Sequence, residues 1–439
     1  MSSESELANT NTPYPSGAVA MISEQPITCL EWITMKTRVI TRAFYEDAYL
    51  DFFIKYYAAI GFDNIVILKA DTDKFPDYKP PNLDMLTIPS NDNPTSTATI
   101  TARIDIIPVV NEGNNILKTH YSYYADKTYD WILNIDADEF LVIDLAKYPG
   151  GIKEYIYKIS HRLADERKVP NADSVQQIKF RWMCINKLNS KWPVSITPEL
   201  IVNPGINLPS TTAKLQSLAG YFLTQQLEAY KFVKSMCNTK WANPETKINA
   251  HFFFPIPTRG RNFNVLDGDL RGVNDSDPRH YPRNGSMLVD GYILHINTRS
   301  LANAITKCLV TKLRDNKKIK DPSRFRQIIN SYTPAQFQTP AQIQGLKREF
   351  ADQLNSKSFF PQKIRRFNSL VSRFIKPENI YTPLSNMITA NQSGRQKILA
   401  DLVITEPIVS EQLEWTILRN LCLANDINPD NMQMIIELF

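Results

Sequence analysis

The stretch WILNIDADEFLVI, Trp131 to Ile143, decides how this chain is read. An apolar strand pattern (Trp131, Ile132, Leu133, Ile135) runs into Asp136-Ala137-Asp138-Glu139, and a second apolar run, Phe140 to Ile143, follows at once. Three carboxylates within four residues, set between apolar segments, are costly unless positive charge neutralises them. A divalent cation carrying a phosphorylated ligand meets that demand. Mg2+ and Mn2+ take carboxylate oxygens and keep other positions for water and phosphate. In an extended segment residues i and i+2 point the same way, so Asp136 and Asp138 can address one ion together.

Working outward, the hydrophobic period alternates between strand and helix. Thr37 to Thr41 reads as a strand. Glu46 to Ile60 (EDAYLDFFIKYYAAI) reads as a helix with Leu50, Phe53, Ile54 and Tyr57 on one face, stopped by Gly61. Asn64 to Leu68 is a second strand, running to Asp71-Thr72-Asp73. Ile104 to Val110 is a third, Asn114 to Asp126 a helix, and the acidic strand follows. This order predicts an α/β fold with a mainly parallel, helix-covered sheet, whose ligands bind outside the carboxyl ends of the strands. Asp71 and Asp73, like Asp136 and Asp138, fall at such ends.

Farther along, Gln176 to Ile185 reads as a strand and Ala213 to Tyr230 as a helix. His251 to Ile256 and Tyr292 to Ile296 read as short strands, and Ser300 to Leu313 as a helix capped by Ser300. Residues 1–26, rich in Ser, Asn, Thr and Pro, read as a disordered arm. The expected organisation is that arm, an α/β domain over 34–329, and a helical, Gln/Lys/Arg-rich region over 330–439. The last region is a candidate surface for an acceptor, a partner protein or a homo-oligomer.

Composition sets bounds. A chain of 439 residues, 43% hydrophobic and 22% charged, has ample material for a core. The net charge of +5 suits an anionic ligand such as a nucleotide sugar, while runs as short as Lys317-Lys318 and Arg365-Arg366 call for no nucleic acid. Five scattered cysteines without a CxxC pair argue against a zinc module and a disulfide framework, and for a reducing compartment. The N-terminus lacks the basic and apolar regions of a signal peptide, and no run reaches the roughly 18 apolar residues of a membrane span. A cytoplasmic protein is expected, in the host cytoplasm if the source is viral.

These segments resemble the GT-A-fold glycosyltransferases, within them the group related to family 2 and family 92. The opening strand, acidic turn, helix and second strand correspond to RVITRAFYEDAYLDFFIKYYAAIGFDNIVIL. The acidic signature corresponds to YDWILNIDADEFLVI. A late histidine-to-lysine segment corresponds to ILHINTRSLANAITKCL, with His295, Arg299, Ser300 and Lys307. The likeness spans residues 36–310. Two positions depart from the pattern: Tyr45 stands where the group has Asn, and the second strand ends in KADTD.

The resemblance implies transfer of a sugar from a nucleoside diphosphate sugar, with a UDP-sugar the expected donor, to a hydroxyl on a glycan, protein or small molecule. It implies Mn2+ or Mg2+ held by Asp138, with Asp136 nearby on a metal-bound water or the ribose, and His295 completing the site (His251 the second choice). Glu46 and Asp71 or Asp73 would line the nucleoside pocket, and Arg299 or Lys307 would hold the diphosphate. Relatives mostly invert at the anomeric carbon, which needs a carboxylate base. The zone Asp267, Asp269, Asp275 and Asp277 contains the candidates, with Asp269 foremost.

Simpler readings stand beside these. An acidic strand end can be merely solvated, His295 a core histidine, and Glu46 a helix-dipole partner. Trp182 and Trp241 could stack on a sugar or simply pack. A haloacid-dehalogenase-type phosphatase also uses a strand ending in DxD, but wants Thr or Val where Phe140 stands and closer spacing after Gly268-Asp269. A catalytically degenerate transferase acting as a binder or scaffold is the non-enzymatic alternative.

Overall fold

The structure, a computed structural model, describes residues 32–70, 86–89, 97–110, 116–167, 172–185, 228–242, 247–248, 253–254, 265–267, 291–296, 300–315, 319–354 and 411–439, with positions 383, 386, 387, 395 and 399. The expected arm, residues 1–26, lies outside them.

Strand β1 (Thr37–Ala43) leads through a turn to helix α1 (Asp47–Ile60) and strand β2 (Asn64–Lys69). A hairpin of β3 (Leu86–Pro89) and β4 (Thr97–Ile100) precedes β5 (Arg103–Pro108). The helix expected at 114–126 is two single turns, α2 (Ile116–Thr119) and α3 (Tyr121–Tyr124). Then come β6 (Trp131–Asp136), β7 (Glu139–Ile143), α4 (Ile152–Arg167), β8 (Gln177–Ile185) and β9 (Glu228–Asn238). The short β10 (Lys247–Ile248), β11 (Phe253–Phe254) and β12 (Val265–Asp267) lead to β13 (Gly291–Ile296). Among the described residues the helices α5 (Leu301–Asp315), α6 (Pro322–Asn330), α7 (Pro340–Gln353), α8 (Glu411–Leu423) and α9 (Pro429–Leu438) follow. Among the described residues no helix is long and apolar enough to cross a membrane.

The fold is α/β. Its nine-stranded sheet runs β5-β2-β1-β6-β9-β8-β13-β7, with β12 beside β8. Strands β5, β2, β1 and β6 are mutually parallel, as the alternating order predicts, and so are β8 with β12 and β13. Strand β9 enters antiparallel between β6 and β8, and β7 closes the sheet antiparallel to β13. The helix expected over Ala213 to Tyr230 is corrected at its end, where residues 228–230 begin β9; residues 213–227 lie outside the described residues. Local pattern did not reveal this strand because its pairing with β8 and β6 is entirely long-range, and that pairing satisfies its backbone groups.

Helix α1 is apolar nearly all round because it is covered twice. One side packs on the sheet, and the other meets the C-terminal helices. Gly61 ends it in the left-handed region (φ 104°), its amide donating back to Ala58 O. A main core joins α1 and α4 to one sheet face, with Phe53, Tyr57, Ile65, Leu133, Phe140 and Ile156 fully or almost fully buried. A smaller core under α2 and α3 covers the other face through Ile40, Val66, Leu117 and Ile132. A third joins α5 to α6, α7, α8 and α9, and it also takes in Tyr45. Sequence signals set these last helices well: Asp321 caps α6, Thr339 and Gln342 form a capping box on α7, and Asn428 caps α9.

Edge strand β7 shows how α1 fixes the site. The open side of β7 would leave backbone groups unpaired. The Tyr57 hydroxyl donates to Glu139 O (2.9 Å) and accepts from Leu141 N (3.1 Å), while the Tyr56 hydroxyl donates to Leu141 O (2.9 Å). Burial pushes both phenols far above their usual range.

The chain also returns to the sheet domain from the helical region. Met387 and Leu399 join the main core, and Arg395 donates to Ala59 O (3.1 Å) at the end of α1. The Arg395 guanidinium lies against Gly61, where a Cβ would stand 3.1 Å from it, and its stem against Gly151. A cation at a helix C-terminus is favourable. Arg395→Ala is therefore expected to cost ~1–3 kcal/mol in urea unfolding; an unchanged midpoint would mean that this contact carries no stability.

Candidate functional site

The acidic signature lies at the carboxyl edge of the central sheet. Strand β6 ends at Asp136, the chain turns at Ala137-Asp138, and β7 begins at Glu139. The Asp136 amide donates to Glu139 Oε2 (2.9 Å), which pins the turn. The register of β7 against β13 sets Glu139 opposite His295, and Ile296 N donates to Asp138 O (2.9 Å). Cross-strand partners share a face, so the turn and the late histidine are brought together by pairing alone.

Asp138, Glu139 and His295 each offer a ligand atom, and these atoms lie within 4.8 Å of one another. His295 Nε2 is 3.5 Å from Asp138 Oδ2, and His295 Nδ1 is 4.0 Å from Glu139 Oε1. Ligand atoms around one Mg2+ ion stand at most ~4.2 Å apart, so a contraction of under ~1 Å would seat one. Glu139 Oε1 points the same way: it is buried and has no hydrogen-bond partner among the described residues. A buried carboxylate oxygen placed in this manner fits a cation ligand. Two carboxylates and an imidazole suit a divalent ion of the Mn2+ type.

Asp136 stands beside this group. The turn at Ala137-Asp138 breaks the extended geometry in which Asp136 and Asp138 would face one ion. Asp136 Oδ1 is 3.3 Å from Arg42 Nη2 and its Oδ2 is 2.6 Å from Lys234 Nζ, while Glu139 joins Asp138 and His295. Lys234 Nζ also lies 3.2 Å from Glu139 Oε2, and its side chain is 1% exposed. Burial pushes the Asp136 carboxyl upward, but Lys234 and Arg42 outweigh it and hold the group well below the usual carboxylate range. Glu139 goes the other way: burial raises it to about 7, against the opposing pull of Lys234. For Lys234 burial favours the neutral amine, and the two carboxylates overcome it.

Lys307, expected near a diphosphate, lies on α5 with its Nζ 2.5 Å from Asp138 Oδ2. Helix α5 is capped by Ser300, whose Oγ accepts from Asn303 N (2.9 Å). Trp182 faces His295 with ring centroids 4.6 Å apart, and Lys234 Nζ stands 5.5 Å from the indole. Trp182 thus packs into the site, whereas Trp241 donates to Asp173 O at the opposite edge of the sheet. Glu46 precedes α1 without capping it through its side chain; the buried pair there is Asp47 with Lys69, at 2.9 Å. Asp71, Asp73, His251, Asp269, Asp275, Asp277 and Arg299 lie outside the described residues. Asp267 ends β12 beside Lys179 of β8.

Sequence reasoning missed Arg42 and Lys234. Arg42 was legible in principle, as the basic residue closing β1. Lys234 was not, because it sits in the unforeseen β9. A groove of about 710 Å3, lined in part by Asp130, Ser160, His161 and Lys240, opens at the opposite edge, away from the carboxylates. Its Lys240 is already paired with Asp173 at 2.9 Å.

Two outcomes follow from this charge arrangement. Lys234→Met leaves two carboxylates without their shared cation and is expected to destabilise by ~3–5 kcal/mol in chemical unfolding. Glu139, ordinarily 4.5 and about 7 when folded, binds its proton more tightly in the native state. Its contribution is therefore lost as pH rises from about 4.5 through 7, with a slope of at most ~1.4 kcal/mol per pH unit. Glu139→Gln should remove that slope from the stability profile; an identical profile would show that Glu139 titrates normally.

No protein-family model matches the chain and no curated protein matches it, so the chemistry of the site rests on its own side chains.

Proposed function

We propose that the chain is a metal-dependent glycosyltransferase of the GT-A type, moving a sugar from a nucleoside diphosphate sugar to an acceptor hydroxyl with inversion. The observation that carries the reading is the meeting of Asp138, Glu139 and His295 at the carboxyl edge of a mainly parallel sheet, with one buried carboxylate oxygen unpaired. Such edges are where open α/β sheets bind nucleotides. A bound Mn2+ or Mg2+ would supply Lewis-acid stabilisation of the leaving diphosphate.

The chain's own residues divide the remaining work. Asp138, Glu139 and His295 hold the ion. Lys234 keeps Asp136 ionised and ties the turn to β9. Arg42 and Lys307 put positive charge at the same edge, where phosphate oxygens of a UDP-sugar or a related donor would lie. Trp182, packed on His295, fixes its ring. Asp269 remains the candidate base that takes the proton of the acceptor hydroxyl on a glycan, protein or small molecule.

One observation favours a second reading, a nucleotide-binding protein without turnover: Asp136, Asp138 and Glu139 already face Arg42, Lys234 and Lys307. Calorimetry with UDP, GDP and CMP, each with and without Mn2+, followed by turnover of the matching sugar donors, separates the two. The transferase reading expects metal-dependent binding of one nucleotide and release of its diphosphate from the sugar. It also expects kcat/KM to fall about a hundred- to thousand-fold in Asp138→Asn. Binding without sugar release, under every donor and acceptor tried, would favour the silent binder. No binding by a folded protein would remove both.

A further inference from the structure

Among the described residues, carboxyl groups and cations already meet at the acidic turn. Three carboxylates, on Asp136, Asp138 and Glu139, stand against three cations, on Arg42, Lys234 and Lys307. The three cations are held differently. Lys234 is 1% exposed and grips two carboxylates, so it is part of the fold. Arg42 is 20% exposed and closes β1. Lys307 is 25% exposed, comes from a helix outside the sheet, and sits on Asp138 Oδ2. That oxygen is also the one nearest His295 Nε2, at 3.5 Å. Lys307 thus occupies the atom that a shared cation needs.

A divalent cation bound at Asp138 would stand beside the Lys307 ammonium, and a partly buried site strengthens that repulsion. A diphosphate is anionic and takes charge-assisted hydrogen bonds from Lys and Arg. A diphosphate arriving with the cation would give the displaced ammonium an anionic partner.

We propose that Lys307 is a built-in placeholder for the cation: it pairs with Asp138, is displaced when the ion binds, and then pairs with the diphosphate. The inference rests on the transferase reading above and adds to it that metal and diphosphate are taken up as one unit. The Lys307 stem is flexible and its Nζ needs to move only from Asp138 toward the adjoining edge. Its helix is held independently of that contact by Ala302, Ile305 and Leu309 in the third core, and by Thr306 Oγ1 near Glu414 Oε1 (3.5 Å). Release of Lys307 therefore leaves α5 in place.

The test compares wild type, Lys307→Gln and Lys307→Arg. Mn2+ binding alone is read from the electron-paramagnetic signal of the free ion, and nucleoside diphosphate binding by calorimetry with and without Mn2+. Circular dichroism confirms that each variant is folded. In wild type, Mn2+ and the diphosphate should each tighten the other by about tenfold or more, the two factors being equal by linkage. Lys307→Gln should bind Mn2+ alone several-fold more tightly and lose most of that mutual gain. Lys307→Arg should behave as wild type. Unchanged Mn2+ affinity in folded Lys307→Gln, or a wild type in which metal and diphosphate bind independently, would overturn the placeholder while leaving the transferase reading standing. Absence of both metal and nucleotide binding in all three proteins would overturn the two together.

Discussion

The site depends on one buried cation. Lys234, reaching from β9 beneath the β6–β7 turn, touches both Asp136 and Glu139 and has almost no contact with solvent. Without it the turn would bring carboxylates together in a packed interior, where repulsion and desolvation act in the same direction. With it, the turn holds its shape and Glu139 spends one oxygen on Lys234 and the Asp136 amide. The other oxygen stays directed toward His295. The lysine thus makes a cluster of acids compatible with the fold.

The surrounding structure serves that turn from three directions. Helix α1 closes the exposed side of β7 with two tyrosine hydroxyls, which pair the backbone at Glu139 and Leu141. Pairing between β13 and β7 delivers His295 from a point far along the sequence. The C-terminal helices, packed on α5 and on Tyr45, deliver Lys307 and brace the β1–α1 turn. Tyr45 adopts φ 59°, a left-handed conformation that disfavours bulky side chains. Asn, which the resemblance would place there, tolerates that conformation better. Burial of the Tyr45 ring in the third core offsets the strain, and it explains how an aromatic residue can stand at this turn.

Much of the fold was legible because its signals are local. The strand-helix-strand opening, the Gly61 stop, the Ser300 cap and the run into Asp136 follow from period and end chemistry, and the structure agrees within a residue or two. The carboxylates and His295 were legible for the same reason. What was hidden is non-local. Strand β9 exists through its neighbours, so Lys234 could not be anticipated from its own segment. The geometry of Asp136 and Asp138 was misjudged because an extended chain was assumed where a two-residue turn occurs. Arg395, pressed between Gly61 and Gly151, carries no signal in its own surroundings.

The central claim is that Asp138, Glu139 and His295 form a metal centre for a nucleotide sugar. Crystals grown with Mn2+ and a nucleoside diphosphate, recorded near the manganese absorption edge, test it most directly. The account predicts one anomalous peak about 2.2 Å from Asp138, Glu139 and His295, with Lys307 turned from Asp138 toward the diphosphate. A map with no peak at the turn, or with Lys307 still on Asp138 beside a bound nucleotide, would contradict it.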